Sequence, residues 1–396
     1  MVPFPAFRKA SPMTDATDIR RIGILTGGGD CPGLNAVIRA VAKTAMLQRR
    51  IEVVGIEDGF LGLIEERVRP LSFRDVSGIL SRGGTILGTS NRANPEKFAV
   101  GRNPDGSPIF ADVTDRCLET IRRHAIDALV VIGGDGTMAC AAPLVKRGVN
   151  IVGVPKTIDN DLVGTDITFG FLTAVNTATE ALDRLHSTAD SHHRVVVCEV
   201  MGRNAGWIAL FAGVASGSDV ILLPEIPFDL DIVAESIDRR MRKGGPGFAI
   251  VAIAEGAKPK GGERVVARID PTSPDPVRLG GIGHVIATEI ERLTGVESRT
   301  TVLGHVQRGG PPIAADRILA THFGFHAIAT LLAGRRGRMV VRQNNVYTDV
   351  DLLHSAGKQR LVRSDFPLIA AARAIGTCFG DRVPIQPSSG VPSAEV

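Results

Sequence analysis

The chain has 396 residues, 44% of them hydrophobic and 22% charged, with a formal net charge of +4; this is a globular composition and excludes a disordered chain. Lys and Arg are spread along the sequence, and aromatics make up only 4%, which argues against a nucleic-acid binder with its basic stripe and stacking rings. No apolar run reaches the ~20 residues that span a membrane, and the five cysteines show neither CxxC spacing nor a paired pattern, so reduced thiols and a cytoplasmic location are expected.

In chain order, residues 1–19 read as a loose leader that lacks the apolar stretch of a signal peptide. Residues 21–25 (RIGIL) predict a buried strand, 35–48 a helix and 51–55 a second strand. Strands are expected again at 128–132 and 151–154, with a helix over 138–146 between them. Further strands are expected at 194–200, 220–223, 247–254 and 298–303. Near-continuous apolar strands alternating with helices predict an α/β fold of two open, mostly parallel sheets covered by helices. Residues 258–275 read as a surface excursion, and the end of the chain from residue 386 as a disordered tail.

Ligands of such sheets sit beyond the carboxyl ends of strands, and the unusual residues of this chain follow its strands. Gly27-Gly28-Gly29-Asp30 follows the first strand. It is neither a P-loop nor a GxGxxG turn, because Leu34 and Asn35 replace Lys and Ser/Thr and Pro32 replaces the last Gly. Alone it is a tight turn. Gly133-Gly134-Asp135-Gly136-Thr137 follows 128–132; glycines let an anion approach the backbone, and one carboxylate among them suits Mg2+. Pro155-Lys156-Thr157-Ile158-Asp159-Asn160-Asp161 offers two carboxylates two residues apart, one of which can take a proton from a hydroxyl; an Asx-type turn is an equal reading. Arg194, Met201-Gly202-Arg203, Arg299 and His305-Val306-Gln307-Arg308 read as following or ending strands, which favours a shared anion site.

In combination, residues 22–39, 83–95, 133–137, 155–161, 201–206 and 304–309 resemble the phosphofructokinase family, in order, from about residue 21 to about 333. The resemblance implies Mg2+-assisted phosphoryl transfer to the 1-hydroxyl of fructose 6-phosphate. It assigns Asp159 as general base with Thr157 and Asp161 beside it, Arg203 facing the migrating group, and Asp135 on the metal. Gly29, Arg92, Gly133, Gly134, Gly136, Thr137 and Lys156 would hold the donor. Ile158, Met201, Gly202 and Glu255 would line the sugar, and His305, Val306, Gln307 and Arg308 the 6-phosphate. Arg194 and Arg299 would reach that phosphate from a neighbouring subunit, which implies a homodimer or homotetramer. The expected domains are a donor (ATP) domain over 20–169 plus about 282–332, a sugar-phosphate domain over 170–281, and a C-terminal extension over 333–396 without an assignable motif.

Two positions speak to the donor. Gly136 leaves room for ATP where pyrophosphate-using members carry Asp; Lys156 stands where those members have Lys. The steric block must be absent before ATP binds at all, so ATP is the expected donor and pyrophosphate the alternative, a mixed pattern that resembles the mixed-substrate branch. At the family's effector site Arg39 is present and Lys43 replaces a common Arg, which implies no particular effector. A Rossmann oxidoreductase is disfavoured by Pro32. A diacylglycerol or NAD kinase shares GGDGT without the TIDND and MGR partners. A catalytically silent sugar-phosphate sensor would be expected to lose Asp159 or Asp135.

Overall fold

Strands form in this chain where β-branched residues run unbroken, and these runs are buried along their whole length, as in Ala128–Gly133 and Val195–Val200. The computed structural model describes residues 19–242, 246–269 and 277–384. Residues 1–18, the tail from 385 and residues 270–276 of the surface excursion lie outside the described residues, and with them the sequence readings made there.

In chain order the strands are β1 (Arg21–Thr26), β2 (Glu52–Ile56), β3 (Val68–Pro70), a hairpin of β4 (Phe98–Arg102) and β5 (Pro108–Ala111), β6 (Ala128–Gly133), β7 (Ile151–Thr157) and β8 (Phe169–Gly170). After them come β9 (Val195–Val200), β10 (Val220–Leu222), β11 (Ala249–Ala254), a hairpin of β12 (Val266–Ile269) and β13 (Val277–Leu279), β14 (Ser298–Val302), β15 (Arg338–Gln343) and β16 (Val346–Asp351). The first sheet runs β16-β15-β7-β6-β1-β2-β3, with β8 beside β7; the second runs β10-β11-β9-β14. The second is parallel throughout. The first is parallel except at its two edges, where β3 and β16 run antiparallel to their neighbours.

The helix Leu34–Arg49 buries Leu34, Val37, Ile38, Val41, Ala42 and Ala45, a stripe at three- and four-residue spacing. That stripe lies against the helix Ala314–Leu332, where Gly324 sets the approach: a Cβ there would stand 2.6 Å from the Ala40 Cβ and 3.0 Å from the Val37 carbonyl oxygen. Truncating a buried ring of this layer, Phe169 or Phe323, to alanine costs about 3–5 kcal/mol.

Two expectations about organisation are corrected. Residues 282–302, read as part of the donor domain, form the helix Ile282–Thr294 and β14, and β14 pairs with β9 in the second sheet. Only the following helix, Ala314–Leu332, returns to the first sheet's side. The chain beyond residue 333 is integral rather than appended. β15 pairs with β7, β16 closes that sheet's edge, and Cys378 adds a short parallel bridge beside Val220 at the edge of the second. Among the described residues no helix is long and apolar enough to cross a membrane.

Candidate active site

Parallel register puts three loops of the first sheet side by side. Thr26 stands opposite Ile132, and Gly133 opposite Pro155, so the turns after β1, β6 and β7 leave the sheet at one edge. After β1 the chain passes through Gly33 at φ 107° into the helix Leu34–Arg49; a Cβ at Gly33 would be strained by that angle and would press on the Phe169 ring at 2.8 Å. After β6, Gly134 caps the helix Asp135–Lys146, whose first-turn amides face the same edge and suit an anion. Thr137 is buried and fills the space left by Gly27 and Gly133, each of which would collide with it if it carried a Cβ. The segment bearing Arg92 lies along the first turn: Gly28 N donates to the Ser90 carbonyl at 3.1 Å, and Thr89 Oγ1 to the Gly28 carbonyl at 2.6 Å.

The loop after β7 resolves its two readings through its own hydrogen bonds. Thr157 Oγ1 accepts from Asp159 N at 3.0 Å. Asn160 takes the left-handed conformation, φ 51°, which Asn tolerates, and its side-chain oxygen accepts from Thr168 N at 3.0 Å. Thr157 and Asn160 thus carry the turn, which leaves the carboxylate of Asp159 out of it, while Asp161 Oδ2 accepts from Gln359 Nε2 at 3.0 Å. Burial raises the pKa of Asp159, with Asp135 adding to the rise, while Arg308 and Lys156 oppose it. Burial, then the charges of Asp159 and Asp135, push Asp161 up to about 7. Lys156 is buried, which lowers its own pKa, and its Nζ donates to the Gly29 carbonyl, tying the β7 loop to the first turn.

The second sheet delivers its residues to the opposite wall. Val200 stands opposite Ala254, and Glu199 opposite Val302, so Met201-Gly202-Arg203, Glu255 and the 304–308 turn leave one edge together. Glu255 N donates to the Val200 carbonyl at 2.9 Å and Gly256 N to the Gly202 carbonyl at 3.1 Å. The contact is so close that a Cβ on Gly256 would overlap the Arg203 carbonyl oxygen at 2.0 Å. Burial, then Asp159, raises the pKa of Glu255 to about 7; the charge of one wall is felt on the other. Arg308 crosses between the walls: its Nη1 donates to the Asp30 carbonyl at 3.0 Å.

The raised carboxyls make a stability prediction. A carboxyl whose folded pKa lies above its unfolded value contributes stability at low pH that is lost as pH rises through the folded value. For Asp161 that window runs from the ordinary carboxylate value of 3.8 to about 7. Asp161→Asn should therefore gain on the wild type as pH rises from about 4 to about 7, by on the order of 5 °C in Tm. A melting difference that is flat with pH would contradict the raised value.

Four expected site residues stand elsewhere. Arg194 precedes β9 and Arg299 is the second residue of β14, so they do not end strands as read from sequence. At about 3.3 Å per residue, Arg194 lies roughly 20 Å and Arg299 roughly 10 Å short of the ends of their strands. Both pair with Glu297. Ile158 is fully buried in the core, and Gln307 is fully buried too, with its Nε2 donating to the Gly304 carbonyl at 3.0 Å and its Oε1 accepting from Met201 N at 3.4 Å. Their side chains shape the walls from behind and cannot touch a substrate. His305 and Val306 are exposed beside them. Asn204, Gln359 and Arg360, which link the loops of the two walls by hydrogen bonds, were not found from sequence; no pattern around KQR, far along the chain, points to the site.

The sequence pattern of the family described as Phosphofructokinase matches residues 21–331. An "ATP-dependent 6-phosphofructokinase 2" of Clostridium perfringens is 50% identical over 364 residues, covering 92% of this chain and 99% of that one. A "Pyrophosphate--fructose 6-phosphate 1-phosphotransferase" of Amycolatopsis mediterranei is 48% identical over 343 residues, covering 86% and 96%. Among solved structures, the phosphofructokinase of Pichia pastoris in its T-state superposes with a TM-score of 0.71 at 31% identity, over 89% of this chain; this chain spans 37% of the length of that one. Two sheets whose carboxyl edges face each other, the loops they carry and whole-length relatives at half identity agree: the chain belongs to the phosphofructokinase family.

Proposed function

We propose that this protein is an ATP-dependent 6-phosphofructokinase, which transfers the γ-phosphoryl group of ATP to the 1-hydroxyl of fructose 6-phosphate. The observation that carries the reading is the meeting of Asp159 with both walls: Asp135 and Lys156 of the donor loops and Glu255 and Arg308 of the opposite wall all act on or feel its charge. Phosphoryl transfer asks for alignment and charge neutralisation rather than covalent help. Asp159 takes the proton of the attacking hydroxyl, the glycine-loop amides hold the donor phosphates, and Arg203 meets charge on the migrating group.

The site suits Mg2+. Asp135, Asp159 and Asp161 repel one another, a gathering that a divalent cation relieves. Among the described residues no three His, Cys, Asp or Glu side chains form a metal cage. Mg2+ needs none, because it keeps waters and binds through one or two carboxylates plus substrate phosphates. Asp135 would hold it, and when bound it supplies charge neutralisation at the donor phosphates.

Gly136 supports ATP. It is exposed, and a Cβ built there meets nothing within 4 Å, so open space remains where a nucleotide's α-phosphate must pass. The second reading, pyrophosphate, is favoured by Lys156. Initial rates with fructose 6-phosphate, Mg2+ and each donor decide between them: turnover with ATP is expected, and turnover with pyrophosphate while ATP stays silent overturns the donor. No turnover with either donor overturns the reaction.

The proposal includes a homo-oligomer with shared sites, because Arg194 and Arg299 lie far from the edge their own chain offers. Arg299→Ala and His305→Ala are each expected to raise KM for fructose 6-phosphate by about 10–100-fold, the worth of a hydrogen bond to a charged group, with little change in kcat. Mixing Arg299→Ala subunits with Asp159→Ser subunits should restore activity that neither has alone at low substrate. Absence of any gain in a mixture shown to exchange subunits argues against sharing.

A further inference from the structure

The segment after β16 carries no recognisable motif, yet residues 357–362 cross the mouth of the site as a strap. On the donor side, Gly357 N donates to the Asp135 carbonyl at 3.3 Å and Arg360 N to the Asp161 carbonyl at 2.6 Å. Arg360 Nη2 donates to the Asn160 carbonyl at 2.9 Å, and Gln359 Nε2 to Asp161 Oδ2 at 3.0 Å. On the sugar side, Asn204 Nδ2 donates to Gln359 Oε1 at 3.0 Å. Trp207 Nε1 donates to the Arg360 carbonyl at 2.9 Å, under a guanidinium 4.7 Å from the ring centre. Val362 N donates to Glu225 Oε1 at 2.8 Å, and the same oxygen takes Gly206 N at 3.0 Å.

Every partner on the donor side belongs to the Asp159 loop or to Asp135, and every partner on the sugar side follows Arg203 within a few residues or, as Glu225 does, holds that segment. Gln359 hydrogen-bonds one wall with each end of its carboxamide. Arg264 Nη1 donates to Asn204 Oδ1 at 2.9 Å, which leaves the Asn204 Nδ2 to donate to the Gln359 oxygen and the Gln359 N–H to face Asp161. Gln359 is exposed on its outer side, so its loss opens no cavity.

We propose that Gln359 is a positioning residue for phosphoryl transfer: its carboxamide, bonded to Asp161 on one wall and to Asn204 on the other, sets the spacing between the loop that carries Asp159 and the loop that carries Arg203. The strap touches no reacting atom. It acts through the two loops, by holding the attacking hydroxyl in line with the donor. The inference rests on the phosphoryl-transfer reading above.

The test uses Gln359→Met, which keeps length and volume and removes both hydrogen bonds, together with Asn204→Ala and the double variant, in the full-length protein. Gln359→Met is expected to lower kcat about tenfold, inside the roughly 10²-fold that a 1 Å misplacement costs, with KM for fructose 6-phosphate within about twofold and an unchanged circular-dichroism spectrum. The double variant should lie within about twofold of the worse single variant, because the two residues act through one bridge. A tail that merely anchors the fold would change Tm and leave kcat alone; that result overturns the proposal, as does a double variant in which the two losses multiply. Should Gln359→Met fold poorly, Gln359→Asn, one methylene short, must show the same loss of kcat. Failure of the wild type to turn over would sink the reaction itself, whereas an active wild type with a fully active Gln359→Met sinks only the bridge.

Discussion

Asp159→Ser lowers kcat by about 10²–10⁴-fold, the usual contribution of a general base, and leaves KM for fructose 6-phosphate within about threefold. The effect is local. Thr157 and Asn160 carry the loop's turn through their own hydrogen bonds, and only the backbone N–H of Asp159 is tied down, so removing its carboxylate leaves the loop intact. Binding is spared because the groups expected to anchor the sugar phosphate stand on the other wall and on a neighbouring subunit. Steady-state kinetics at saturating donor read both constants. A kcat near that of the wild type would remove Asp159 from the chemistry, and Asp161 would be the next carboxylate to test. The same assay carries a pH check. Arg308 and Lys156 hold the Asp159 pKa below where burial alone would put it. Without Arg308 the base keeps its proton to higher pH, so the acid limb of kcat in Arg308→Met moves upward.

The second large effect is on donor choice. Gly136→Asp is expected to cut kcat/KM for ATP by about 10³-fold while sparing any turnover with pyrophosphate. Asp is at home in the first turn of a helix, and a Cβ at this position meets no protein atom, so the variant folds. What it meets is the ligand: a carboxylate about 4 Å from a phosphate charge costs about 4 kcal/mol at an effective dielectric near 20, close to 10³ in affinity. Pyrophosphate has no α-phosphate to lose. ATP kinetics in Gly136→Asp like those of the wild type would take this position out of donor recognition and leave Lys156 as the residue to explain.

Much of the donor wall was legible in the sequence because the signals are local. A β-branched run followed at once by Gly-rich turns announces both strand and loop, and β1, β6, β9 and β11 stand within one or two residues of their expected bounds, while β7 runs three residues further, to Thr157. The errors are of another kind. Arg194 stands just before β9 and Arg299 near the start of β14 rather than at strand ends, because where a strand begins and which end meets the cleft depends on sheet order, which a single chain's pattern does not encode. Residues 282–302 were put in the wrong half because a parallel strand can join either sheet through a helix of the same length. The strap was invisible because its bonds join residues about 200 positions apart, such as Gln359 and Asp161, through side chains that carry no motif of their own.

β15 lies against β7, the strand that ends in the Asp159 loop, and translation must pass residue 343 before β15 exists and residue 362 before the strap does. A ribosome-bound chain stopped at the helix Ala314–Leu332 already holds every glycine turn, the base and the arginines, yet lacks the neighbour that fixes β7 from its outer side. Such a nascent chain is expected to be silent, and activity in timed translation should rise only once β15 and the strap have been made. Activity before β15 emerges would show that the catalytic loop needs no such support.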